Sequence, residues 1–371
     1  MFSPVDWNNP DQAIDLEVWN RMTGNFWLPE KIALSNDLPS WRRLDENKQR
    51  AVVRAFAGLT VLDTLQAEVG AGAVAKHARS HHEAANMAFI GGMEAIHARS
   101  YSSIFATLVS SEQNKEAFEW ASENKWLQAQ ASIVNQRYER LDAYWTRVHS
   151  VMLESFLFYT GFYPALRLVS EGSLPNTADI IRLIMRDEGV HGFYIGLKAQ
   201  EIRPLHMRPR RVTELVSALM HPMVPYVQEL YEGTGWTEDV IKFAKYNANK
   251  ALTNLGEEPY FPDNETNVSP QVLAQMVVDA NETHDFFSGS GSSYVMQGRG
   301  NQRRRVGEYV MDVLLDTRQG GLVASWTGKV PKLEVALKRL GFQFSDFGEY
   351  TAPTLTLGLL RETKKAAADF G

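Results

Sequence analysis

The chain has 371 residues, of which 44% are hydrophobic and 22% are charged, and its formal net charge is −6. This composition is typical of a soluble protein with a sizeable core, and the negative charge gives no electrostatic basis for binding nucleic acid. The absence of cysteine excludes disulfides, thiolate metal sites and a cysteine nucleophile.

No membrane or secretion signal is evident. The first residues, Met-Phe-Ser-Pro-Val-Asp-Trp, lack the basic and apolar regions of a signal peptide, so we expect a cytoplasmic protein. The most apolar stretch, residues 151–169, is interrupted by Glu154, Pro164 and Arg167. Such residues are rare in a membrane span, so this stretch predicts a core helix.

Helical periodicity organises the first three hundred residues, because apolar side chains recur at spacings of three and four. Helices are predicted over about residues 12–23, 45–69, 81–109, 212–231 and 237–255, with helix-compatible sequence over 112–140. Two further helices carry Glu154 and, after a cap at residues 173–177, Glu188. Pro222 and Pro225 predict a kink or break within 212–231. The pattern predicts an all-α bundle.

Two Glu-x-x-His motifs stand out, Glu94 with His97 and Glu188 with His191. At 3.6 residues per turn, a spacing of three places the carboxylate and the imidazole on one helical face. A single motif of this kind is weak evidence, since any amphipathic helix can produce one. The histidine pair His81-His82 stands at a predicted helix start, where we expect a solvated cap region rather than a metal site.

Each Glu-x-x-His motif follows an acid on an apolar helix at a nearly repeated distance. Asp63 precedes Glu94 by 31 residues, and Glu154 precedes Glu188 by 34. Taken singly, each acid could be a polar core residue satisfied by its neighbours. Four carboxylates and two imidazoles together suit two iron or manganese ions, because their negative charge offsets the repulsion between the metals. Apart from one Asp in place of Glu, this is the ligand set of ferritin-like di-iron and di-manganese carboxylate proteins.

Tyr101 lies four residues after His97, about 6 Å along the helix axis and on the same stripe. It is therefore near enough to be oxidised by a metal centre, although a buried tyrosine can also simply fill space. Phe158, Phe162 and Ile184 are predicted to wall it with unreactive side chains.

The character of the chain changes near its C-terminal end. A Gly/Ser-rich run within residues 284–300 predicts a flexible tether, separating a helical di-metal domain at 1–283 from an extension at 301–371. The extension has 11 Lys/Arg and 8 Asp/Glu. Its β-like stretches at 308–315 and 351–360, with a helical pattern at 331–340, predict a small α/β appendage of unassigned role.

Taken together, the motifs closely resemble the small (beta, radical-generating) subunit of class Ib ribonucleotide reductase. The resemblance runs from about residue 16 to residue 296. It is carried by Asp-Thr-Leu-Gln at 63–66, Met-Glu-Ala-Ile-His-Ala-Arg-Ser-Tyr-Ser-Ser at 93–103, Leu-Glu-Ser-Phe-Leu-Phe at 153–158, Arg-Asp-Glu-Gly-Val-His-Gly at 186–192, Tyr-Asn-Ala-Asn-Lys at 246–250 and the segment 284–294.

The resemblance implies a ferritin-like homodimer whose di-manganese or di-iron centre oxidises Tyr101 to a stable radical. In the family this radical passes to a cysteine of a separate large (alpha) subunit, which reduces ribonucleoside diphosphates to deoxyribonucleotides. Residues at the positions of Trp27, Asp187 and Tyr294 form the small subunit's part of the transfer route. Class Ib members commonly use di-manganese activated by a flavodoxin-like protein, or di-iron with oxygen.

One departure concerns the C-terminal region. Family members usually end soon after the Ser-Tyr-Val segment in an acidic tail that docks on the large subunit, whereas here residues 301–371 follow. Two other functions compete. A di-iron oxidase or hydroxylase acting on a small substrate would need an open pocket at the metals. An iron-storage protein would not need Trp27, Tyr101 and Tyr294 together.

Overall fold

The computed structural model describes residues 3–140, 142–205 and 211–276 in full, together with the backbone of four strands between residues 310 and 352. The chain divides into two compact units, Met1–Val278 and Asp279–Gly371. The described part of the first unit is helical, and the strands belong to the second. The predicted all-α bundle is therefore confirmed for the described part of the first unit.

Helices of very different length make up the first unit. The α-helices are α1 (Ala13–Gly24), α2 (Leu38–Trp41), α3 (Glu46–Leu65), α4 (Ala71–Ala75), α5 (His81–Leu108), α6 (Ser111–Glu123), α7 (Lys125–Tyr138), α8 (Ala143–Met152), α9 (Tyr159–Ser170), α10 (Pro175–Glu201), α11 (Arg211–Leu230), α12 (Thr237–Asn254) and α13 (Pro270–Met276). Two π-helical turns, Gln66–Gly70 and Leu153–Leu157, join α3 to α4 and α8 to α9. Short 3₁₀ turns lie at Pro29–Lys31, Leu34–Asp37 and Asp263–Glu265.

Side-chain caps define where the long helices begin. Asp45 accepts a hydrogen bond from the backbone N–H of Lys48 at the start of α3, and Ser80 does the same for Glu83 at the start of α5. These bonds satisfy backbone donors that have no partner within the helix. At the start of α10 the cap comes from a distant residue, since the carboxylate of Asp37 accepts from the backbone N–H and the hydroxyl of Thr177.

The core is formed where α3, α5, α10 and the α8–α9 segment pack on one another. The π turn Leu153–Leu157 lies between α8 and α9 and is buried at every position. Residues 151–169 thus form a core helix, as predicted. None of the helices in the described ranges is both long enough and apolar enough to cross a membrane.

The structure corrects two local predictions. Helix α11 continues through Pro222 and Pro225, so of the predicted kink or break the break does not occur, and the kink stays a prediction. The packing of α11 against α7 and α12 supports the helix where proline removes backbone hydrogen bonds. His82 is buried rather than solvated, because its ring packs edge-on against Trp7 and its Nε2 donates to the backbone carbonyl of Asp6 at 2.9 Å.

The second unit contains an antiparallel sheet of four strands in the order β1-β2-β4-β3. The strands are β1 (Val310–Asp316), β2 (Gly321–Thr327), β3 (Gln343–Phe344) and β4 (Tyr350–Ala352). In the β1–β2 pairing Val313 lies opposite Ala324. The β component of the predicted appendage is therefore present, with β2 and β3 as strands that the pattern did not predict. Residues 353–360 of the second predicted stretch lie outside the described residues. The helix predicted at 331–340 lies outside the described residues.

Candidate metal centre

One buried stripe of α5 supplies the middle of the site. Glu94, His97 and Tyr101 follow one another at steps of three and four, so they share a helical face, and none of them is exposed. The face turns toward the core because apolar residues such as Ile90 and Ile104 continue it in both directions. Burial of the apolar residues thus carries the polar residues into the core.

The six predicted ligands form two overlapping groups, all fully buried. In each group the ligand atoms lie within 4.8 Å of one another. The first group is Asp63, Glu94, His97 and Glu188, and the second is Glu94, Glu154, Glu188 and His191. Glu94 and Glu188 belong to both groups, and a carboxylate has two oxygens, so each of them can serve two ions. The arrangement is that of two neighbouring metal positions.

The two imidazoles point their Nδ1 atoms at the carboxylates. His97 Nδ1 lies 3.0 Å from Glu188 Oε1, and His191 Nδ1 lies 2.8 Å from Glu94 Oε1. The rings lie nearly parallel, with centroids 6.0 Å apart. Each imidazole lies close to a carboxylate of α5, Glu94, and to a carboxylate of α10, Glu188.

Most polar atoms of the cluster form no hydrogen bond within the protein. Both oxygens of Asp63, Glu94 and Glu188 are buried without a hydrogen bond, and so is Nδ1 of each histidine. An unpaired buried polar group costs about 1–3 kcal/mol, and more for a charged one. So many unpaired atoms directed at one point indicate that the cluster is built for cations.

The pKa values of the histidines also show that the cluster favours positive charge. Burial acts to lower the pKa of His191, but the neighbouring carboxylates of Glu154 and Glu94 outweigh it and raise the pKa to about 10. Neighbouring carboxylates also raise the pKa of His97 well above its ordinary value, against the effect of burial. Burial would raise the pKa of Glu94, yet the two imidazoles hold it at about 2.

Two of the acids tend to stay protonated. Burial raises the pKa of Asp63 well above its ordinary value, and the negative charge of Glu94 raises it further. The pKa of Glu188 is raised by the same two causes. Without metal the cluster therefore retains protons as its source of positive charge. Two divalent cations would supply that charge and displace the protons, so the residues fit a pair of metal ions.

Tyr101 is buried beside this cluster. Its hydroxyl has no hydrogen-bond partner within the protein, and its ring stacks on Phe56 with centroids 5.6 Å apart. Burial raises the pKa of Tyr101 well above its ordinary value, and Asp63 has the largest effect among the neighbouring carboxylates. The phenol is therefore held neutral and isolated from water.

A chain of contacts leads from the cluster toward the surface. His97 Nε2 lies 3.3 Å from Asp187 Oδ2, and the indole Nε1 of Trp27 donates to the same oxygen at 2.7 Å. The rings of Trp27 and His97 also stack, with centroids 6.2 Å apart. Asp187 thus fixes both the orientation of His97 and the position of Trp27, which is half-buried next to the exposed Phe26.

Sequence reasoning overlooked some neighbours of the site. Phe56 is an aromatic partner of Tyr101. Phe158, Phe162 and Ile184 are fully buried, and their placement around Tyr101 stays a prediction. Phe56 lies seven residues before Asp63 on the same face of α3, so helical spacing could have found it. Tyr294 lies outside the described residues.

Comparison with known proteins identifies the family. The family described as "Ribonucleotide reductase, small chain" matches residues 4–270. The chain belongs to the ribonucleotide reductase small chain family.

Curated members of this family are similar over most of their length. The "Ribonucleoside-diphosphate reductase subunit beta nrdF1" of Mycobacterium tuberculosis is 50% identical over 298 residues, which are 79% of this chain and 92% of that protein. The "Ribonucleoside-diphosphate reductase 2 subunit beta" of Escherichia coli is 49% identical over 300 residues, or 79% and 94%.

Solved structures support the fold. The crystal structure of Streptococcus sanguinis dimanganese(II)-NrdF is 41% identical, has a TM-score of 0.72, and is matched over 75% of this chain and 100% of that one. The ferritin-like fold predicted from the sequence is confirmed. Together with the unpaired ligand atoms, this similarity supports a di-metal carboxylate site in the present small chain.

The ligand set can be tested by removing one imidazole. His97→Ala deletes the nitrogen ligand of the first group and leaves the nearby carboxylates without its positive charge. We expect metal content to fall well below two ions per chain, as measured by elemental analysis after loading with manganese or iron. His149→Ala is the matched control, since His149 is also buried but bonds to the backbone of Trp145 outside both groups. Two tightly bound ions in His97→Ala would show that the ligand set is wrong.

Proposed function

We propose that this chain is the radical-generating small subunit of a class Ib ribonucleoside-diphosphate reductase. The named relatives of M. tuberculosis and E. coli support the reductase subunit, and the similarity to a dimanganese(II)-NrdF supports the class. Residues 4–270, which match the small chain family, include all six proposed metal ligands and Tyr101.

The observation that carries the proposal is the environment of Tyr101. Its hydroxyl is buried without a protein partner, one helical turn beyond the proposed ligand His97. A tyrosyl radical survives only where reductants and water cannot reach it, and this side chain is fully enclosed. Oxidation of a phenol also releases its proton, and Asp63 is the carboxylate that most strongly affects the pKa of Tyr101.

Two metal ions per chain are the proposed cofactor, either di-manganese or di-iron. Once oxidised, such a centre supplies an oxidant strong enough to remove an electron from tyrosine. The oxygen and imidazole ligands accept both metals. For manganese we propose a flavodoxin-like activating protein as the partner that delivers the oxidant, and for iron we propose molecular oxygen.

The contacts of Trp27 give the proposed exit for the oxidising equivalent. Trp27, Asp187 and His97 touch in sequence from the half-buried surface to the metal ligands. We propose that this path, continued by Tyr294, leads to the large subunit, where ribonucleotides are reduced. The small chain is further proposed to act as a homodimer, as its resemblance to the class implies.

The enclosure of the centre argues against direct oxidation of a small substrate. All six proposed ligands and Tyr101 are fully buried, so an external molecule has no direct contact with them. An oxidase or hydroxylase needs such contact. A storage protein, in turn, has no use for a tryptophan connected by hydrogen bonds to a ligand histidine.

Electron paramagnetic resonance combined with metal analysis tests the proposal. The protein is loaded with iron and oxygen in one sample, and with manganese and the flavodoxin-like activator in another. We expect two metal ions per chain and a tyrosyl radical signal in at least one sample. Two bound ions with no radical under either condition would favour the oxidase alternative, and fewer than two ions would refute the centre itself.

The extension gives a separate prediction, based on the proposed division into residues 1–283, 284–300 and 301–371. Truncation after Gly300 should leave metal content and radical yield unchanged, because every proposed ligand precedes it. Turnover with the large subunit reports on docking, and it will fall in the truncated protein if docking depends on residues 301–371. A lost radical would show instead that the extension supports the metal centre.

A further inference from the structure

Glu154 is the one proposed carboxylate ligand that is also held by a side chain outside both groups. The Gln66 amide nitrogen, Nε2, donates to Glu154 Oε1 in a short hydrogen bond and lies 2.8 Å from the hydroxyl of Ser150. The hydroxyl of Tyr138 donates to the other end of this amide, Gln66 Oε1, at 2.7 Å. All four side chains are at least 95% buried.

These contacts fix which end of the amide faces the carboxylate. Nε2 is a donor and faces the carboxylate oxygen of Glu154, while Oε1 accepts from the hydroxyl of Tyr138. Reversing the amide would set Gln66 Oε1 against Glu154 Oε1 and remove the bond between the two side chains. The hydroxyl of Tyr138 anchors the other end of the amide, and the carboxylate of Glu154 selects its orientation.

The hydrogen-bond network of Gln66, Ser150, Glu154 and Tyr138 lies where two π-helical turns meet. Gln66 begins the turn Gln66–Gly70, and Glu154 lies within the turn Leu153–Leu157. Gly70 leaves the space that the amide occupies, since a Cβ added there would lie 1.9 Å from Gln66 Oε1 and 2.8 Å from a ring carbon of Tyr138. Such π turns frequently mark functional sites. The backbone here is shaped around the amide of Gln66.

The network makes Glu154 different from the other three acids. Asp63, Glu94 and Glu188 each have both carboxylate oxygens unpaired, whereas Glu154 has only Oε2 unpaired. Its Oε2 lies 3.4 Å from His191 Nδ1 in the second group. One oxygen is thus engaged by Gln66, and the other is left for a cation.

We infer that Gln66 is a positioning residue that restricts Glu154 to binding metal through one oxygen, Oε2, in the second group. The inference rests on the proposed di-metal centre. Residues that orient metal ligands by hydrogen bonds affect metal affinity strongly, although they do not touch the ion. Gln66 acts on the second group alone, because Glu154 is absent from the first.

Gln66→Met tests this inference, because methionine has a similar length and no hydrogen-bond donor. Manganese(II) titrations followed by the paramagnetic resonance of free manganese measure both affinities without any catalytic assay. We expect the variant to bind the ion of the second ligand group about 10–100-fold more weakly. The ion of the first ligand group should bind with nearly unchanged affinity. A crystal structure of the manganese-loaded protein should show Glu154 bound through one oxygen in the parent and through both in the variant.

Gln130→Met is the matched control. Gln130 is equally buried, but its amide donates to the backbone carbonyl of Trp126 within α7. It should retain both affinities, which separates the effect of Gln66 from a general cost of losing a buried amide. The inference is overturned if Gln66→Met binds both ions like the parent and Glu154 still uses one oxygen. Failure of the parent to bind two ions would instead overturn the di-metal centre.

Tyr138→Phe serves as the second variant if Gln66→Met does not fold. It removes only the hydroxyl that donates to Gln66 Oε1 and anchors the amide, and it keeps the ring in place. We expect a smaller weakening of the second ion, in the same direction and with the first ion unaffected. Equal weakening of both ions would show that the network supports the fold rather than Glu154.

Discussion

Replacement of Tyr101 by phenylalanine should abolish ribonucleotide reduction while leaving two metal ions bound. The change removes one hydroxyl and keeps the ring that stacks on Phe56. Phenylalanine is much harder to oxidise than tyrosine, so no radical can be stored at this position. We expect no tyrosyl radical signal and background turnover with the large subunit, although the oxidant is still consumed.

Stability measurements provide the control for this variant. The hydroxyl of Tyr101 has no partner within the protein, so its removal should not lower the free energy of unfolding of the metal-free protein. Tyr231→Phe removes an equally buried hydroxyl that donates to the backbone carbonyl of Thr160, and it should cost about 1 kcal/mol. Tyr231→Phe should nevertheless keep the radical.

Two outcomes would contradict the role of Tyr101. A normal radical yield in Tyr101→Phe would place the radical on another residue, and Tyr159 would be the first to examine. Full reductase activity without any tyrosyl radical would refute the proposed mechanism. A substrate-oxidising enzyme would keep much of its turnover in this variant.

The second large effect is expected for Trp27→Phe, which should separate storage of the radical from its use. The substitution removes the indole N–H that donates to Asp187 Oδ2 and replaces an oxidisable ring with an inert one. Radical yield and metal content should stay near those of the parent, because Trp27 belongs to neither ligand group. Turnover with the large subunit should fall to background.

Trp19→Phe is the matched control for this experiment. Trp19 is also partly buried, but it packs against Trp7 and Phe89 and is not in the path. It should retain both radical and turnover. Normal turnover in Trp27→Phe would exclude this residue from the transfer route, whereas loss of the radical would assign it to assembly of the centre.

Each Glu-x-x-His pair among the six proposed ligands could be predicted from the sequence because its geometry depends on spacing within a single helix. Glu94 and His97 share a face whatever surrounds them, and the repeated distances to Asp63 and Glu154 point to one shared site. The role of each residue stays a prediction until the variants are measured. The family, by contrast, is established by comparison over residues 4–270.

Contacts between helices were harder to predict, since they depend on how two elements pack. Helical spacing places Phe56 on the same face of α3 as Asp63, but only the packing of α3 against α5 brings its ring against Tyr101. Gln66 lies three residues after Asp63 and thus near the expected face, but its bond to Glu154 requires two π turns to meet. Local periodicity carries no information on where a helix widens into such a turn.

Complete burial of the ligands also affects how the protein acquires its metals. We expect an ion to enter or leave only when the surrounding helices open locally, because no ligand side chain is exposed. At equilibrium such ligands would favour copper or zinc over manganese and iron. Slow exchange would oppose that selection, so the order in which ions are supplied should influence which metal the protein holds.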